Sequence, residues 1–412
     1  MNEAHPLLIS TRTGSQFSFS RLEEFAPDGS SLEVADAHTA AGSLHSGRHL
    51  WERFADFLPF SSPDPLVSLG EGNTPLLPAP PSIAAATGGL HILLKNETQN
   101  PTWSFKDRGS LTCIWMARLM DEQVTATIST GNMGHSIAAY AAHAGLRAVV
   151  FAPSFVPEEK LRPMAVHGAT VIRVAMADYA SMKDRVLALG AELGIRIVSG
   201  NGPVRVEGYK FTAFELVEQM DGEVPDWIVV PTSACGHLRG IFKGYRELLA
   251  AGITNRLPRM VIVQATNNCP IVSAIKQGAD HVIPFTGIHT IAEAMTSGNP
   301  PGGDELIAKA RKFAWLAEDV SEEEIAAGQR TLAAAGLFVE SAAATGIPAV
   351  RKLIAAGRIA PDERVVVMLT GTGLKDARAR ESATAAVVDT DIHNVRADAE
   401  RAITAARRSI SH

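Results

Sequence analysis

Lys106 is the residue with the most chemistry in reach. It sits in Asn96-Glu97-Thr98-Gln99-Asn100-Pro101-Thr102-Trp103-Ser104-Phe105-Lys106-Asp107-Arg108. A lysine amine can condense with an aldehyde to a Schiff base. Only the neutral amine attacks, so a site that uses it must lower its pKa by excluding water or adding nearby positive charge. A five-residue stretch around one lysine does not separate a reactive amine from a solvated surface cation. Three later segments do more. They are Ser129-Thr130-Gly131-Asn132-Met133-Gly134-His135-Ser136, Pro231-Thr232-Ser233-Ala234-Cys235-Gly236-His237 and Leu369-Thr370-Gly371-Thr372-Gly373-Leu374-Lys375-Asp376. Small residues let backbone N–H groups approach an anion, and a helix that begins there adds its dipole. On that ground Ser233, Ala234, Cys235, Gly236 and His237 are expected to hold a phosphate group. The segment lacks the Gly-Lys-Ser/Thr element of a Walker loop. His237 either donates to the phosphate or caps the helix, and a Cys235–His237 nucleophilic pair is a third option.

Elements that could position these residues are legible as β-branched runs alternating with Ala- and Leu-rich stretches. Ile92–Leu94, Ala126–Ile128, Ala148–Phe151, Thr170–Val174, Ile195–Val198, Trp227–Val230, Met260–Val263 and Val365–Leu369 read as buried strands. Met133–Ala144, Met182–Leu193, Leu238–Leu249 and Glu322–Ala335 read as helices. The alternation predicts an α/β fold with open parallel sheets, in which ligands bind outside the carboxyl ends of the strands. Each of the three later segments follows such a strand. Residues 1–66 read as a turn-rich lead-in with some β structure and a helix near Leu50–Leu58. Residues 377–412 read as a peripheral helical extension suited to packing or subunit contact.

Composition narrows the function classes. The 412 residues suffice for two domains, and a net charge of −6 leaves no basic footprint for nucleic acid or an anionic membrane. Cys113, Cys235 and Cys269 are too scattered for a disulfide framework or a zinc ribbon, so no metal is expected. Neither a secretory signal nor an apolar run long enough to span a bilayer is visible, and a cytoplasmic setting is the expectation.

Taken in order, the lysine segment and the three loops resemble fold-type II pyridoxal-phosphate (PLP) enzymes, and among them the threonine synthases. The entry segment Gly70-Glu71-Gly72-Asn73-Thr74-Pro75-Leu76 and the stretch Glu340-Ser341-Ala342-Ala343 extend the resemblance over residues 70–376. It implies two α/β domains with PLP in the cleft, a large one from 67–105 and 205–376 and a small one from 106–204, usually as a homodimer. It implies that Lys106 carries the cofactor and that Asn132 contacts its ring hydroxyl. Ser129, Thr130 and the backbone near Met133 would take the substrate carboxylate, and Glu340 would line the cleft. Thr370 would face the pyridine nitrogen; a hydroxyl cannot keep a proton there, which favours elimination and replacement over transamination. Lys160 and Arg205 match positions that recognise a substrate phosphate, and as bare sequence both also read as ordinary surface cations. The implied reaction converts O-phosphohomoserine and water to threonine and phosphate.

Departures keep rival readings open. Met133 stands where the family often has Thr, Ser199-Gly200-Asn201-Gly202-Pro203 replaces an Asn-Ser-x-Asn-Pro run, and Trp103 replaces a Gly. The bulky ring of Trp103 could narrow the pocket. The rivals are a β-replacement synthase on O-phosphoserine, as in cysteate synthase, a serine/threonine dehydratase, and a PLP-binding regulatory relative with little catalysis. Retention of Lys106, Asn132 and Thr370 together argues against the last.

Overall fold

Val365, Val366, Val367, Met368 and Leu369 are all fully buried. A strand buried on both faces belongs inside a parallel sheet covered by helices, and that is where the run lies. The computed structural model describes residues 6–35, 43–59, 65–175, 179–287, 289–381 and 386–409. Its strands are β1 (Leu7–Ser10), β2 (Gln16–Ser18), β3 (Leu32–Val34), β4 (Leu76–Pro78), β5 (His91–Asn96), β6 (Val124–Ile128), β7 (Arg147–Pro153), β8 (Thr170–Val174), β9 (Ile197–Val198), β10 (Trp227–Pro231), β11 (Arg259–Ala265), β12 (Leu316–Val320) and β13 (Arg364–Leu369).

They form three sheets, ordered β2-β1-β3, β12-β11-β10-β13-β5-β4 and β8-β7-β6-β9. The first is antiparallel. The other two are parallel except for β4, which runs against β5. In the six-stranded sheet the strand order reverses between β10 and β13. In the four-stranded sheet it reverses between β6 and β9. Such switch points open a crevice at the carboxyl ends of the flanking strands, and all three loop motifs leave from one of these strands. Residues Met1–Lys375 form one compact unit and Asp376–His412 another.

Helix Lys106–Leu119 is buried along nearly its whole length, from Asp107 to Ala117. It crosses helix Pro203–Gln219 very closely. A Cβ on Gly208 would lie 2.0 Å from the Arg108 carbonyl oxygen, and one on Gly109 would lie 2.5 Å from Arg205 Cγ. Side chains at those two positions would force the helices apart. Buried ion pairs then fix the register. Arg108 Nε donates to Glu97 Oε2 at 2.7 Å, Arg108 Nη2 to Glu215 Oε2 at 2.5 Å, and Lys95 Nζ to the same Glu215 oxygen at 2.6 Å.

The lead-in is tied to later elements by side chain-to-backbone bonds. Arg239 Nη2 donates to the Leu32 carbonyl at 3.0 Å and Lys243 Nζ to that of Val34 at 2.5 Å. The Ser199 N–H donates to Glu24 Oε2 at 2.5 Å. No cluster of potential metal ligands occurs among the described residues, and no helix of theirs is long and apolar enough to cross a membrane.

Three expectations need correction. The helix near Leu50–Leu58 is a single turn, Leu50–Arg53, followed by a 3-10 turn at Ala55–Phe57. Strand β12 was not expected, because it carries Glu318 and Asp319; as the edge strand it can present both to Lys276. The extension consists of two helices, Ala377–Glu381 and Val395–Ser409, with 382–385 and 410–412 outside the described residues.

Candidate active site

The Lys106 segment is laced to the end of β13. Ser104 bridges Gly371, the Phe105 N–H donates to the Thr370 carbonyl at 3.1 Å, and the Thr372 N–H donates to that of Trp103 at 3.1 Å. Asp107 holds the approach from below, accepting from Thr102 N at 2.6 Å and Ser136 Oγ at 2.6 Å. Lys106 is thereby set at the first position of a buried helix, with its Nζ 4.4 Å from the centre of the Phe105 ring. Burial, and then the nearby Arg205 guanidinium, lower its pKa to about 7, against the opposing pull of Glu340. It makes no hydrogen bond or ion pair with another described residue. A neutral, unpaired amine is what attack on a carbonyl requires.

One cavity gathers Lys106 with the loops at both switch points. From the four-stranded sheet come Ser129, Thr130, Asn132 and Met133 after β6, and Ser199 and Gly200 after β9. From the six-stranded sheet come Ser233, Ala234, Cys235, Gly236 and His237 after β10, and Thr370 after β13. Glu340 lines it as well.

The local chemistry of these groups is specific. Ser129 Oγ accepts from the N–H groups of Gly131 at 3.1 Å and Gly134 at 2.8 Å. This hydroxyl shapes the loop that opens helix Asn132–His143. Asn132 Nδ2 donates to Glu340 Oε2 at 2.8 Å, and Lys375 Nζ donates to Asn132 Oδ1 at 3.1 Å. Burial lowers the Lys375 pKa to about 8. Gly236 opens helix Gly236–Ala250 against the 199–201 loop, where a Cβ would lie 2.2 Å from the Gly200 carbonyl oxygen. The His237 ring stacks on that of Phe105, with centroids 4.0 Å apart. Burial holds it neutral, far below the usual histidine range. Burial also pushes the Cys235 thiol up to about 12, which removes the thiolate a Cys235–His237 nucleophilic pair would need.

Three expected residues stand outside the cavity lining. Lys160 forms an ion pair with Glu293, the head of the short turn Glu293–Met295. Arg205 is fully buried and donates through Nε to the Ser199 carbonyl at 2.9 Å. The close crossing of the two helices turns it toward Gly109 and away from the lining, so it acts on Lys106 through its charge. Trp103 does not narrow the pocket: it is half exposed, with a left-handed φ of 62°.

Other lining residues were not foreseen. Ala294, Met295, Thr296 and Ser297 come from a stretch with no periodicity. Lys183 comes from helix Tyr179–Leu193, where it reads as one solvated charge beside Asp184 and Arg185.

Buried polar atoms are normally hydrogen-bonded. Both ring nitrogens of His237, a lining residue, are buried without a partner. Together with the unpaired Lys106 they fit a polar group that the chain does not itself supply.

The comparisons agree with that chemistry. A family model described as "Pyridoxal-phosphate dependent enzyme" matches residues 67–371. The chain is 37% identical to the threonine synthase of Methanocaldococcus jannaschii, over 79% of this chain and 80% of that protein. It is 38% identical to that of Methanosarcina acetivorans, over 75% and 76%. The chain belongs to the pyridoxal-phosphate dependent enzyme family. Among solved structures, it is similar to the processed threonine deaminase isoform 2 of Solanum lycopersicum, with a TM-score of 0.64 and 16% identity over 94% of this chain and 97% of that one. It is also similar to maize serine racemase, with a TM-score of 0.62 and 18% identity over 82% and 94%. These two likenesses show the fold-type II architecture. The protein is therefore a PLP-dependent lyase.

Proposed function

We propose that the protein is a threonine synthase, converting O-phosphohomoserine and water to threonine and phosphate. What supports this reading is the likeness to proteins named threonine synthase, which extends over most of the chain. When bound, PLP supplies the electron sink that acidifies the substrate's carbon-bound protons. Lys106 would carry the cofactor, and its amine, with a pKa of about 7, is suited to moving protons between the substrate's carbon atoms. The N-terminus of helix Gly236–Ala250, with Ser233, Ala234, Cys235, Gly236 and His237, would hold the cofactor phosphate, with the neutral His237 able to donate one N–H. Asn132, oriented by Glu340 and Lys375, would take the ring hydroxyl, and Thr370 the ring nitrogen. Thr130 and the open N–H groups near Met133 receive the substrate carboxylate, with Ser129 fixing the loop. The chain divides into a large domain (67–105 and 205–376) around the six-stranded sheet and a small one (106–204) around the four-stranded sheet.

Replacement on O-phosphoserine and deamination of serine or threonine need the same lysine and differ in the leaving group. A panel of O-phosphohomoserine, O-phosphoserine, serine and threonine, read by release of phosphate, ammonia or keto acid, separates them. Phosphate and threonine from O-phosphohomoserine are expected. Ammonia from serine or threonine, with both phosphorylated substrates ignored, would replace this reading with the dehydratase one.

A further inference from the structure

Two lysines line the cavity among the described residues, Lys106 and Lys183. Lys106 is committed to the cofactor. Lys183 makes no hydrogen bond or ion pair with another described residue, although it is partly buried. Its electrostatic neighbours are Asp184, Cys235 and Glu24. Of these, Asp184 is solvent-exposed, Glu24 already accepts the Ser199 N–H, and Cys235 is a protonated thiol. Burial lowers the Lys183 pKa, so the ammonium sits in the cavity wall with its charge incompletely answered.

The surrounding corner explains why that charge matters. A Cβ on Gly200 would lie 3.0 Å from the Ala234 Cβ and 3.9 Å from Met133 Sδ. The corner is therefore narrow, and Gly200, Ala234 and Met133 offer no side-chain hydrogen-bond donor. The two cations expected from sequence to meet a distal anion, Lys160 and Arg205, lie outside the lining. Of the two lysines in the cavity lining, Lys183 is the one left to meet an anion other than the cofactor's own.

We infer that Lys183 binds the distal anionic group of the substrate, a phosphate on a short-chain amino acid, and so sets substrate class. The inference rests on the reading under Proposed function. A phosphate could come from the substrate or from the cofactor, and the physical distinction favours the substrate. The cofactor phosphate stays in place and is served by fixed backbone N–H groups at a helix N-terminus. A phosphate released in every turnover is better served by a compact charge on a flexible stem.

The test uses wild-type holoenzyme, Lys183→Met and Lys183→Arg. Apoprotein is titrated with PLP, and holoenzyme is titrated with O-phosphohomoserine, O-phosphoserine, homoserine and serine, each followed by the cofactor's visible spectrum. Loss of one charge-assisted contact should weaken binding of the phosphorylated amino acids in Lys183→Met about ten- to a hundredfold. Binding of homoserine, serine and PLP should hold, and Lys183→Arg should recover most of the loss. Weakened PLP binding in Lys183→Met would assign the lysine to the cofactor phosphate and overturn the inference. Equal effects on phosphorylated and unphosphorylated amino acids, or none, would overturn it too. If wild type turns over O-phosphohomoserine and Lys183→Met matches it, the inference alone falls. If wild type binds no phosphorylated amino acid, it falls together with the proposed function.

Discussion

Lys106 and Arg108 stand two positions apart in one buried helix, and their surroundings are opposite. Arg108 is met by Glu97 and Glu215, which hold its pKa above the usual arginine value. Lys106 is met by no ion pair among the described residues, and its pKa falls to about 7. Burial of a cation is costly in both places. At Arg108 the cost is offset by carboxylates and the result is a fixed helix. At Lys106 it is left standing and the result is a reactive amine. The paired cation holds the unpaired one in place.

The sharpest way to break this contrast is at Lys106 itself. Lys106→Ala should remove the cofactor's covalent attachment and lower turnover by more than about a thousandfold. It should leave the apoprotein at least as stable as wild type, because no partner loses a bond. Borohydride reduction of the wild-type holoenzyme followed by peptide mapping should find the label on Lys106, and a label on another lysine would overturn its role. At Arg108 the expected outcome reverses. Arg108→Met strands two buried carboxylates and should cost about 3–5 kcal/mol of stability, measured by urea unfolding of the apoprotein. A loss under about 1 kcal/mol would mean that the network does not hold the helix.

A smaller effect sharpens the comparison. Arg205 lowers the Lys106 pKa by its charge. Without that charge Lys106 keeps its proton to higher pH. In Arg205→Met the pH midpoint for covalent capture of PLP should therefore move alkaline from about 7, with slower capture at pH 7 and recovery near pH 9. An unmoved midpoint would leave burial as the sole cause.

The last expected effect is on the pH dependence of stability. The folded-state pKa of Lys106 lies below its unfolded value, so the unfolded chain binds the extra proton between about pH 7 and about 10.4. Stability of the apoprotein should gain a rising contribution across that window. Lys106→Met should flatten this contribution, as thermal melts at pH 7, 8.5 and 10 would detect.

Much of the architecture was legible because buried parallel strands need contiguous apolar, mostly β-branched runs. Val365–Leu369 is recovered within one residue as a buried central strand, and the loops after β6, β10 and β13 were marked by their small residues. Thr170–Val174 keeps its bounds but is an edge strand with none of its residues buried, so the expectation of burial there was wrong. What sequence did not convey depends on where side chains turn. Arg205 and Lys183 are both cations on helices, and no local pattern distinguishes the one that backs the wall from the one that lines it. Helix crossing at Gly109 and Gly208 decides the first. Packing of helix Tyr179–Leu193 over β9 decides the second, through contacts distant in sequence. Strand β12 escaped because an edge position tolerates charges that a central strand would not.

The pairing of β5 with β13 sets a timetable for biosynthesis. Leu94 is hydrogen-bonded alongside Val367, and the Lys106 segment rests against Thr370, Gly371 and Thr372. At roughly 5–20 residues per second on the ribosome, the wait between these partners is on the order of tens of seconds. During that interval the lysine can be translated but not enclosed. Its amine then titrates as that of any solvated lysine, near pH 10.4. The backbone bonds that lace the Lys106 segment to Thr370, Gly371 and Thr372 can form only when the last strand of the sheet arrives.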